Sequence, residues 1–309
     1  MNNRHVYFSI ITDIHEAEKI WNALSPHAVI DDEWEFRVTF FKSLGYTLYF
    51  CVAYDDNQPV MLLPLQENTG KKLQPPYRPE YSPFLEVFGG DDTDDNWIFM
   101  KSGYESVIDQ LLARLPKNTV LAPLAHEKVG AYTAEFYTNK YLMPINDYNN
   151  YENYIDAMWS GSSKKKLRQQ IRGLYSKYTV EVRHNQYEDI EKMFDLNMKR
   201  FGDRSSFSFA YRRQIFKDFM KNFRVEIISI LVNGIVESVS YGIIYKGVYI
   251  GMNAGTNNDI SDLGKLQVLL QIDRAIMLKC TLYDAGKGSS RWKEEFHFES
   301  LPQYKLYLE

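Results

Sequence analysis

A strand that ends in a polar turn and opens a helix is the clearest chemical feature of this sequence. Residues 248–254 alternate between apolar and small or polar side chains, which predicts a partly covered strand. A run of Asn, Asp and Ser follows at 257–262, and apolar residues at helical spacing follow from Leu266. The first backbone N–H groups of a helix lack partners and carry the positive end of its dipole. The turn around Gly264 therefore predicts a phosphate site.

A basic helix is predicted at 161–180, where six cations and no acid occur. The cations are Lys164, Lys165, Lys166, Arg168, Arg172 and Lys177. Leu167, Ile171 and Leu174 give this helix one apolar face. Two interpretations stay open: a platform for an anionic partner (coenzyme A phosphates, a nucleotide-linked sugar or tRNA), or a solvated face that is balanced elsewhere. A membrane-surface helix fits less well, because the apolar face lacks Trp and Phe.

Other catalytic and metal-binding motifs are missing from the sequence. The six histidines are scattered without zinc-ligand spacing, and the two cysteines, Cys51 and Cys280, lie in apolar contexts typical of buried thiols. Neither a phosphate loop, a nucleophile elbow nor a dinucleotide fingerprint is present. The acidic cluster at 91–95 lacks a flanking Glu or His, which favours a solvated loop over a metal site. We therefore predict no metal.

The composition is typical of a globular protein with sizeable cores. Of 309 residues, 45% are hydrophobic and 15% are aromatic, and the length suits two domains of ordinary size. The net charge of −4 gives no general argument for binding nucleic acid or an anionic membrane. The N-terminal stretch lacks the apolar core of a signal peptide, and the longest aliphatic run is too short to span a bilayer. We expect a cytoplasmic protein.

Turn signals divide the chain into elements and into two halves. A hairpin is predicted around 55–57, and turns at 233–234 and 246–247 join three further strands. A polar stretch near residue 150 separates two patterned halves, which predicts an N-terminal domain at 1–150 and a C-terminal domain at 151–309. A Pro- and aromatic-rich excursion at 67–100 is long for a connector, and we interpret it as a cover for a cleft.

Four segments of the chain carry a family resemblance through their order and spacing. They are GSSKKKLRQQIRGL, MKRFGDRSSF, SDLGKLQVLLQIDRAI and YDAGKGSSRWKEEF. In that order they resemble the basic opening helix, a later short segment, the pyrophosphate turn with its helix, and the glycine turn with its aromatic–Lys pair. These are features of the FemAB-like branch of the GNAT acyltransferase superfamily, and of its CelD-type acetyltransferase domain. The resemblance covers about residues 150–300 well and about 20–66 loosely.

The resemblance implies an α/β (α+β) fold of two tandem GNAT-like domains, each a mixed, mostly antiparallel sheet flanked by helices. It implies an N-acyltransferase that moves an acyl group to a primary amine, with acetyl-CoA or another acyl-CoA as cosubstrate. The acceptor would be a small molecule, an amino sugar or a cell-envelope precursor, including a nucleotide-linked amine. Two alternatives stay open: a Fem-type transferase that uses aminoacyl-tRNA, and a catalytically degenerate pair that only binds a ligand.

The phosphate turn departs from the family pattern. The family usually has Gln/Arg-x-x-Gly-x-Gly/Ala, whereas this chain has SDLGKL at 261–266 and keeps only Gly264. Leu266 replaces a small residue, and Asp262 adds negative charge beside the expected pyrophosphate. Gly264 is therefore either the glycine of a phosphate turn or simply a small residue near a helix N-terminus.

The resemblance also places an acyl donor on particular residues. The thioester arm would lie against the strand at 248–254, where that strand splays from the strand at 282–285. Backbone groups would hold the arm, and the turn with the first residues of its helix would hold the pyrophosphate. The residues expected to bind the donor are Met252, Asn253, Ala254, Leu263, Gly264, Lys265 and Leu266.

Five side chains are candidates for a direct chemical role under the same resemblance. Glu237 and Asp284 are candidate bases for the ammonium proton, with solvent exposure and turn capping as their structural alternatives. Tyr249 and Tyr283 are candidate acids for the departing thiolate, although both residues would also suit a packed core. Lys293 matches the Lys of the aromatic–Lys pair and would contact a phosphate or a carbonyl of the donor.

Overall fold

The computed structural model describes residues 6–68 and 84–308. Its strands are β1 (Val6–Ile11), β2 (Thr47–Asp55), β3 (Gln58–Asn68), β4 (Phe84–Val87), β5 (Phe99–Met100), β6 (Thr119–Leu124), β7 (Lys128–Val129), β8 (Tyr132–Thr133), β9 (Glu135–Pro144), β10 (Val180–His184), β11 (Arg224–Val232), β12 (Ile235–Tyr245), β13 (Val248–Thr256), β14 (Leu282–Lys287) and β15 (Glu299–Leu308). Its α-helices are α1 (Ile14–Leu24), α2 (Trp34–Leu44), α3 (Ile108–Leu112), α4 (Tyr151–Met158), α5 (Gly161–Lys177), α6 (Ile190–Phe201), α7 (Ala210–Asn222), α8 (Leu263–Met277) and α9 (Arg291–Glu295). Much of the predicted excursion at 67–100 falls on residues 69–83, which lie outside the described residues.

Contacts divide the chain into two compact units. The first unit takes the chain up to Asn139 and again from Pro302 onward, and the second unit is Lys140–Leu301. Most of β15 therefore packs with the first unit, although it comes last in the sequence.

The first unit is built on a sheet in the order β1-β2-β3-β4-β6-β15. The neighbours in this sheet are antiparallel except β4 and β6, which run in parallel. Helices α1 and α2 cover one face with tryptophans. The rings of Trp21 and Trp34 meet edge to face at 5.8 Å, and Trp34 packs in the same way on Phe50 of β2 at 6.2 Å. Such aromatic pairs add about 0.5–1.5 kcal/mol each to area burial and fix the helices on the sheet.

The second unit has a sheet in the order β9-β14-β13-β12-β11-β10, in which only β13 and β14 are parallel neighbours. The predicted apolar face of α5 is buried in the same core as Leu269 and Ile272 of α8. Helix α6 crosses β13 closely at Gly255. A Cβ on Gly255 would come within 2.3 Å of the Met193 carbonyl oxygen, so glycine is required for this approach.

The predicted fold class is confirmed, since both units are mixed, mostly antiparallel sheets flanked by helices. The predicted hairpin turns join β2 to β3, β11 to β12 and β12 to β13. Their turn residues have positive φ, with 61° at Asn57, 51° at Asn233 and 79° at Gly247. Asn and Gly tolerate this left-handed region better than other residues, which is why these turns are readable from sequence.

Both cysteines are expected to be unreactive in the folded protein. Cys51 is 1% exposed and Cys280 is 3% exposed. Burial raises the pKa of the Cys51 thiol to about 11 and also raises the pKa of Cys280. Since the thiolate is the nucleophile, burial disfavours the reactive form of both thiols as well as access to them. Titration with a disulfide reagent should find no fast thiol in buffer and two in denaturant; a fast thiol in buffer would contradict this burial.

Searches for two further features concern the described ranges alone. Among residues 6–68 and 84–308, no helix is long and apolar enough to cross a membrane. The same residues contain no group of three or more His, Cys, Asp or Glu side chains placed to hold a metal ion.

Candidate functional site

Strands β13 and β14 run together briefly and then separate. Their last paired residues are Ile250 and Asp284. Beyond that point β14 continues along β9, where Lys287 pairs with Lys140, while β13 stays with β12. The edge of β13 at 251–256 therefore faces a cleft of about 610 Å³ instead of another strand. Backbone groups on such an edge are available to an extended ligand.

A β-bulge lies on this open edge. Gly251 is opposite Gly242 and Asn253 is opposite Tyr241, so Met252 is the extra residue of the bulge. A bulge leaves one residue outside the ladder and re-aims its neighbours, and it is common beside functional sites. The residues predicted to hold a thioester arm, from Met252 to Ala254, all line the cleft.

Two asparagines engage the peptide groups at the end of this edge. The Ala254 N–H donates to Asn253 Oδ1 at 2.8 Å, and Asn197 Nδ2 donates to the Ala254 carbonyl oxygen at 3.1 Å. The Ser205 hydroxyl donates to Asn197 Oδ1 at 2.7 Å and thereby fixes the orientation of that amide. An arm that bonds to this edge must either displace the Asn253 contact or bind at Met252.

The N-terminus of α8 opens onto the same cleft. Asp262 precedes the helix in the left-handed conformation, with φ 64°. Leu263 and Leu266 are fully buried in the core, so the leucine that replaces a small residue of the family pattern does not fill the cleft. A Cβ on Gly264 would meet nothing within 4 Å. The first turn of α8 is therefore accessible to a ligand through Gly264 and Lys265, which both line the cleft.

Lys265 partly balances the negative charge of Asp262. Its Nζ lies 3.5 Å from the Asp262 carboxylate and 3.4 Å from Glu295, and it donates to Gln170 Oε1 at 3.1 Å. Gln170 of α5 in turn donates to Asp262 Oδ1 at 2.8 Å. A phosphate at this helix end would meet one cation, the positive end of the dipole and two partly neutralised carboxylates.

The two tyrosines differ in their access to the cleft. Tyr283 lines it, and its hydroxyl donates to Gln271 Oε1 at 2.8 Å. Tyr249 is fully buried behind Tyr283, with the two rings edge to face at 4.9 Å. Burial raises the pKa of both phenols. Both therefore stay protonated at neutral pH, as an acid for a thiolate must be.

Asp284 lies in a buried ion pair at the point where β13 and β14 separate. Its Oδ2 is 2.8 Å from Lys140 Nζ, and its Oδ1 accepts from the Gly286 N–H at 2.8 Å. Asp284 is 8% exposed and Lys140 is 7% exposed. The ion pair holds the carboxylate against Lys140, and the contact with Gly286 is the capping geometry predicted as its structural alternative.

Lys293 directs its ammonium group at the glycine turn. Nζ donates to the carbonyl oxygens of Gly286 and Lys287 at 2.9 Å each, and to that of Gly288 at 3.0 Å. An ammonium group has three donors, and three backbone acceptors use them. Lys293 is 5% exposed, so this geometry favours a role in holding the turn.

Glu237 reaches the cleft only through Asn257. Asn257 Nδ2 donates to Glu237 Oε2 at 2.9 Å, and the Asn257 N–H donates to the Glu237 carbonyl oxygen at 2.8 Å. Asn257 itself lines the cleft. One cleft is therefore lined by the predicted residues Met252, Asn253, Ala254, Gly264, Lys265 and Tyr283. Glu237 does not line this cleft but contacts Asn257, which does.

The basic helix α5 is only partly balanced within its unit. Lys164 pairs with Asp156 of α4 at 3.2 Å, and Arg168 pairs with Glu152 of α4 at 2.8 Å. Lys166 and Lys177 instead line a surface hollow of about 460 Å³ that Ser261 and Asp262 also border. The basic face thus extends to the turn before α8.

A comparison with protein-family models assigns one part of the chain to a family. Residues 161–294 match the family model described as an acetyltransferase (GNAT) domain. This part of the chain is a GNAT acyltransferase domain. The match covers α5 to α9 and therefore includes the separating strands, the bulge and the open end of α8. The match to an acetyltransferase domain supports an enzyme whose GNAT assignment applies to residues 161–294.

Solved structures share the fold along almost the whole chain. A conserved protein of unknown function from Bacteroides thetaiotaomicron has a TM-score of 0.60 at 9% identity, over 98% of this chain and 100% of that one. FemX has a TM-score of 0.58 at 9% identity, over 96% of each chain. A tandem GNAT protein from the clavulanic acid biosynthesis pathway has a TM-score of 0.54 at 9% identity, over 98% of each chain. At such identities the likeness shows the tandem, FemAB-like GNAT fold. No curated protein sequence matches this chain significantly.

Several residues that line the GNAT cleft are not among the site residues predicted from the sequence. They are Asn197, Arg200, Gln267, Gln271 and Glu295. Gln267 and Gln271 do leave a signal, because two amides four residues apart form a polar stripe on an otherwise apolar helix. Both are buried, and Gln267 Nε2 donates to the Ser240 hydroxyl at 2.7 Å. Asn197 and Arg200 lie on α6, which is far in sequence from β13 and α8. Sequence spacing therefore does not indicate that these two side chains reach the cleft.

Proposed function

We propose that the second unit binds an acyl-CoA, with acetyl-CoA as the first candidate, and transfers its acyl group to a primary amine. The observation that carries this proposal is that two features open onto one cleft: the free edge of β13 and the N-terminus of α8 at Gly264. An extended pantetheine arm fits the first feature and a pyrophosphate fits the second. The acceptor class we propose is a small-molecule or nucleotide-linked amine, such as an amino sugar or a cell-envelope precursor.

The proposed reaction forms a C–N bond and breaks a C–S bond. The neutral amine attacks the thioester carbonyl carbon, the tetrahedral oxyanion collapses, and the thiolate leaves with a proton, while the nitrogen loses its second proton and so restores the proton donor. We assign the proton that the thiolate takes to Tyr283, since it lines the cleft and its phenol is protonated at neutral pH. We assign the ammonium proton to Glu295, which lines the cleft with a side chain 45% exposed. Asp284 and Glu237 are then positioning residues and do not contact the amine. Asp284 holds the Gly286 N–H, and Glu237 holds the Asn257 amide.

Calorimetry with acetyl-CoA tests this proposal on two matched glycine variants. Gly264→Glu places a carboxylate in the open space at the α8 N-terminus, where it repels a pyrophosphate. We expect the wild type to bind at micromolar levels and Gly264→Glu to lose at least tenfold in affinity, or about 1.4 kcal/mol. Saturating acetyl-CoA should also raise the melting temperature of the wild type.

Gly173→Glu is the matched control, because an added Cβ at this α5 position also meets nothing within 4 Å. It adds the same charge in the hollow bordered by Lys166 and Lys177. We expect its acetyl-CoA affinity to stay within about threefold of the wild type, since this change is well under 1 kcal/mol. Absence of acetyl-CoA binding by the wild type would overturn the acyl-CoA proposal.

A Fem-type transferase that uses aminoacyl-tRNA is the second candidate function. The observation that favours it is the basic hollow of α5, which reaches the turn before α8 and offers Lys166 and Lys177 to a phosphate backbone. In this case Gly173→Glu, and not Gly264→Glu, is the variant that should weaken binding. Gly173→Glu would weaken tRNA binding in a salt-dependent manner, and acetyl-CoA would not bind.

A further inference from the structure

One face of α8 presents a line of polar groups to the cleft. Gly264, Gln267 and Gln271 all line the cleft, and spacings of three and four residues place them on the same side of the helix. At a rise of about 1.5 Å per residue, Gln267 lies roughly 4.5 Å and Gln271 roughly 10.5 Å beyond Gly264 along the helix axis. Gln271 accepts a hydrogen bond from Tyr283 at the inner end of this line. A ligand that extends from Gly264 to Tyr283 therefore passes Gln267.

The Gln267 amide lies beside the open edge of β13. Its Nε2 donates to the Ser240 hydroxyl at 2.7 Å. Ser240 is directly opposite Ala254 in the antiparallel ladder of β12 and β13, so the two side chains share one face of the sheet. Ala254 belongs to the cleft wall and lies beyond the part of β13 that pairs with β14. The amide of Gln267 therefore reaches the stretch of β13 that faces the cleft.

The next amide of this line lies deeper, where the open edge begins. A Cβ on Gly251 would be 3.0 Å from the Tyr283 hydroxyl oxygen, so that hydroxyl lies against the first residue of the edge. The same hydroxyl donates to Gln271 Oε1 at 2.8 Å. Gln267 and Gln271 therefore follow the open edge of β13 from residue 254 to residue 251.

Gln267 Oε1 is an acceptor without a donor from the protein. Gln267 is 2% exposed, and within residues 6–68 and 84–308 its Oε1 has no hydrogen-bond partner. Buried side-chain oxygens without a donor are uncommon in native proteins, because their lost hydration is not replaced. The Oε1 of Gln271, by contrast, is occupied by Tyr283. A ligand in the cleft that satisfies Gln267 must bring an N–H or O–H group to it.

A pantetheine arm supplies such a group at this place. The arm carries two secondary amides between its pyrophosphate and its sulfur, and each amide has one N–H. The pyrophosphate oxygens and the thioester carbonyl are acceptors only and cannot pair with Oε1. With the pyrophosphate at Gly264 and the sulfur at Tyr283, Gln267 is closer to the pyrophosphate end. The amide nearer the pyrophosphate is therefore the one that lies beside Gln267.

We propose that Gln267 Oε1 accepts a hydrogen bond from this amide N–H and that the contact makes the site selective for a pantetheine thioester. The inference rests on the proposed function, because it needs a pantetheine arm in the cleft. An acyl donor without an amide at this position, such as an acyl phosphate, leaves the oxygen unpaired and binds more weakly. Gln267 is therefore a residue that determines donor specificity.

An analogue of acetyl-CoA with an ester in place of this amide tests the contact by calorimetry on the full-length protein. The ester keeps the length of the arm and lacks the N–H. We expect the wild type to bind the analogue about tenfold more weakly than acetyl-CoA. Gln267→Met keeps the length of the side chain and lacks the acceptor. This variant should bind acetyl-CoA about tenfold more weakly than the wild type does, and it should bind the two ligands equally.

Adenosine diphosphate, which carries a pyrophosphate without the arm, is the control ligand. Gln267→Met should bind it like the wild type, whereas Gly264→Glu should bind both adenosine diphosphate and acetyl-CoA more weakly. Equal affinity of the wild type for acetyl-CoA and its ester analogue, or a preference that persists unchanged in Gln267→Met, would overturn this inference and leave the acyl-CoA function in place. Absence of acetyl-CoA binding by the wild type would instead overturn the proposed function, and this inference with it.

Discussion

Replacement of Arg37 by methionine is expected to lower the free energy of unfolding of the first unit by about 3–5 kcal/mol. The guanidinium is 1% exposed. It donates from Nε to the Asp31 carbonyl oxygen at 2.5 Å, from Nη1 to the Phe88 carbonyl oxygen at 2.8 Å, and from Nη2 to that of Asp95 at 2.7 Å. Methionine keeps the length of the side chain but leaves these buried acceptors without their donor.

The same change also removes a charge from a buried acidic environment. Burial lowers the pKa of Arg37, and the carboxylates of Asp31 and Asp32 oppose that shift. Asp31 is 3% exposed and Asp32 is fully buried, so the change removes a positive charge from beside two buried carboxylates. Arg37 also donates to Asn96 Oδ1 at 2.5 Å, and Asn96 bridges to Leu124 at the end of β6. The change therefore also removes a contact that holds the segment after β4 beside β6.

Urea denaturation followed by tryptophan fluorescence measures this effect. Three of the five tryptophans, Trp21, Trp34 and Trp97, belong to the first unit. Arg114→Met is the control, because Arg114 is exposed and stacks over Phe8 at 4.5 Å. The control should change the free energy by about 0.5 kcal/mol or less. Equal midpoints for Arg37→Met and Arg114→Met would show that the buried network contributes little.

Local signals in the sequence account for the parts of the fold that it predicts. The hairpin turns depend on Asn and Gly, whose backbone preferences act within a few residues. A polar turn followed by apolar residues at helical spacing predicts the N-terminus of α8. The helix begins at Leu263, as this pattern predicts, and its first turn lines the cleft. The same local pattern also led to Gly264 as the accessible residue. The apolar spacing that begins at Leu266 agrees with the burial of this residue in the core, whereas the family resemblance placed Leu266 beside the pyrophosphate.

Contacts between residues distant in sequence account for what the sequence does not predict. Asp284 is paired with Lys140, and Asn197 fixes the edge of β13 at Ala254. Neither partner is marked by a motif, because an ion pair depends on the final strand order and not on spacing. Lys293 is an intermediate case. A motif identifies it by residue type, but only the turn geometry shows that its ammonium group faces backbone carbonyl oxygens.

Lys293→Met is expected to lower the free energy of unfolding of the second unit by about 3–5 kcal/mol, even when no donor is present. The change leaves three carbonyl oxygens, those of Gly286, Lys287 and Gly288, without the charged donor that joins them. Hydrogen bonds to charged groups contribute about 1.5–3 kcal/mol each, and these effects overlap because one group makes all three. The turn follows directly after Ala285 of the cleft, so acetyl-CoA affinity should also fall.

Lys265→Met is the informative counterpart, because the two lysines lie in the same unit and receive the same substitution. Lys265 is 26% exposed at its side chain and contacts Asp262 and Glu295 at 3.4–3.5 Å, so its removal should change the free energy of unfolding by about 0.5 kcal/mol or less. Its acetyl-CoA affinity should nevertheless fall by about tenfold, since a cation at a phosphate is lost. Stability measured without ligand therefore separates a lysine that holds the turn from one that binds the donor. If Lys293→Met kept wild-type stability and lost only donor affinity, Lys293 would contact the donor directly, as the family resemblance implies.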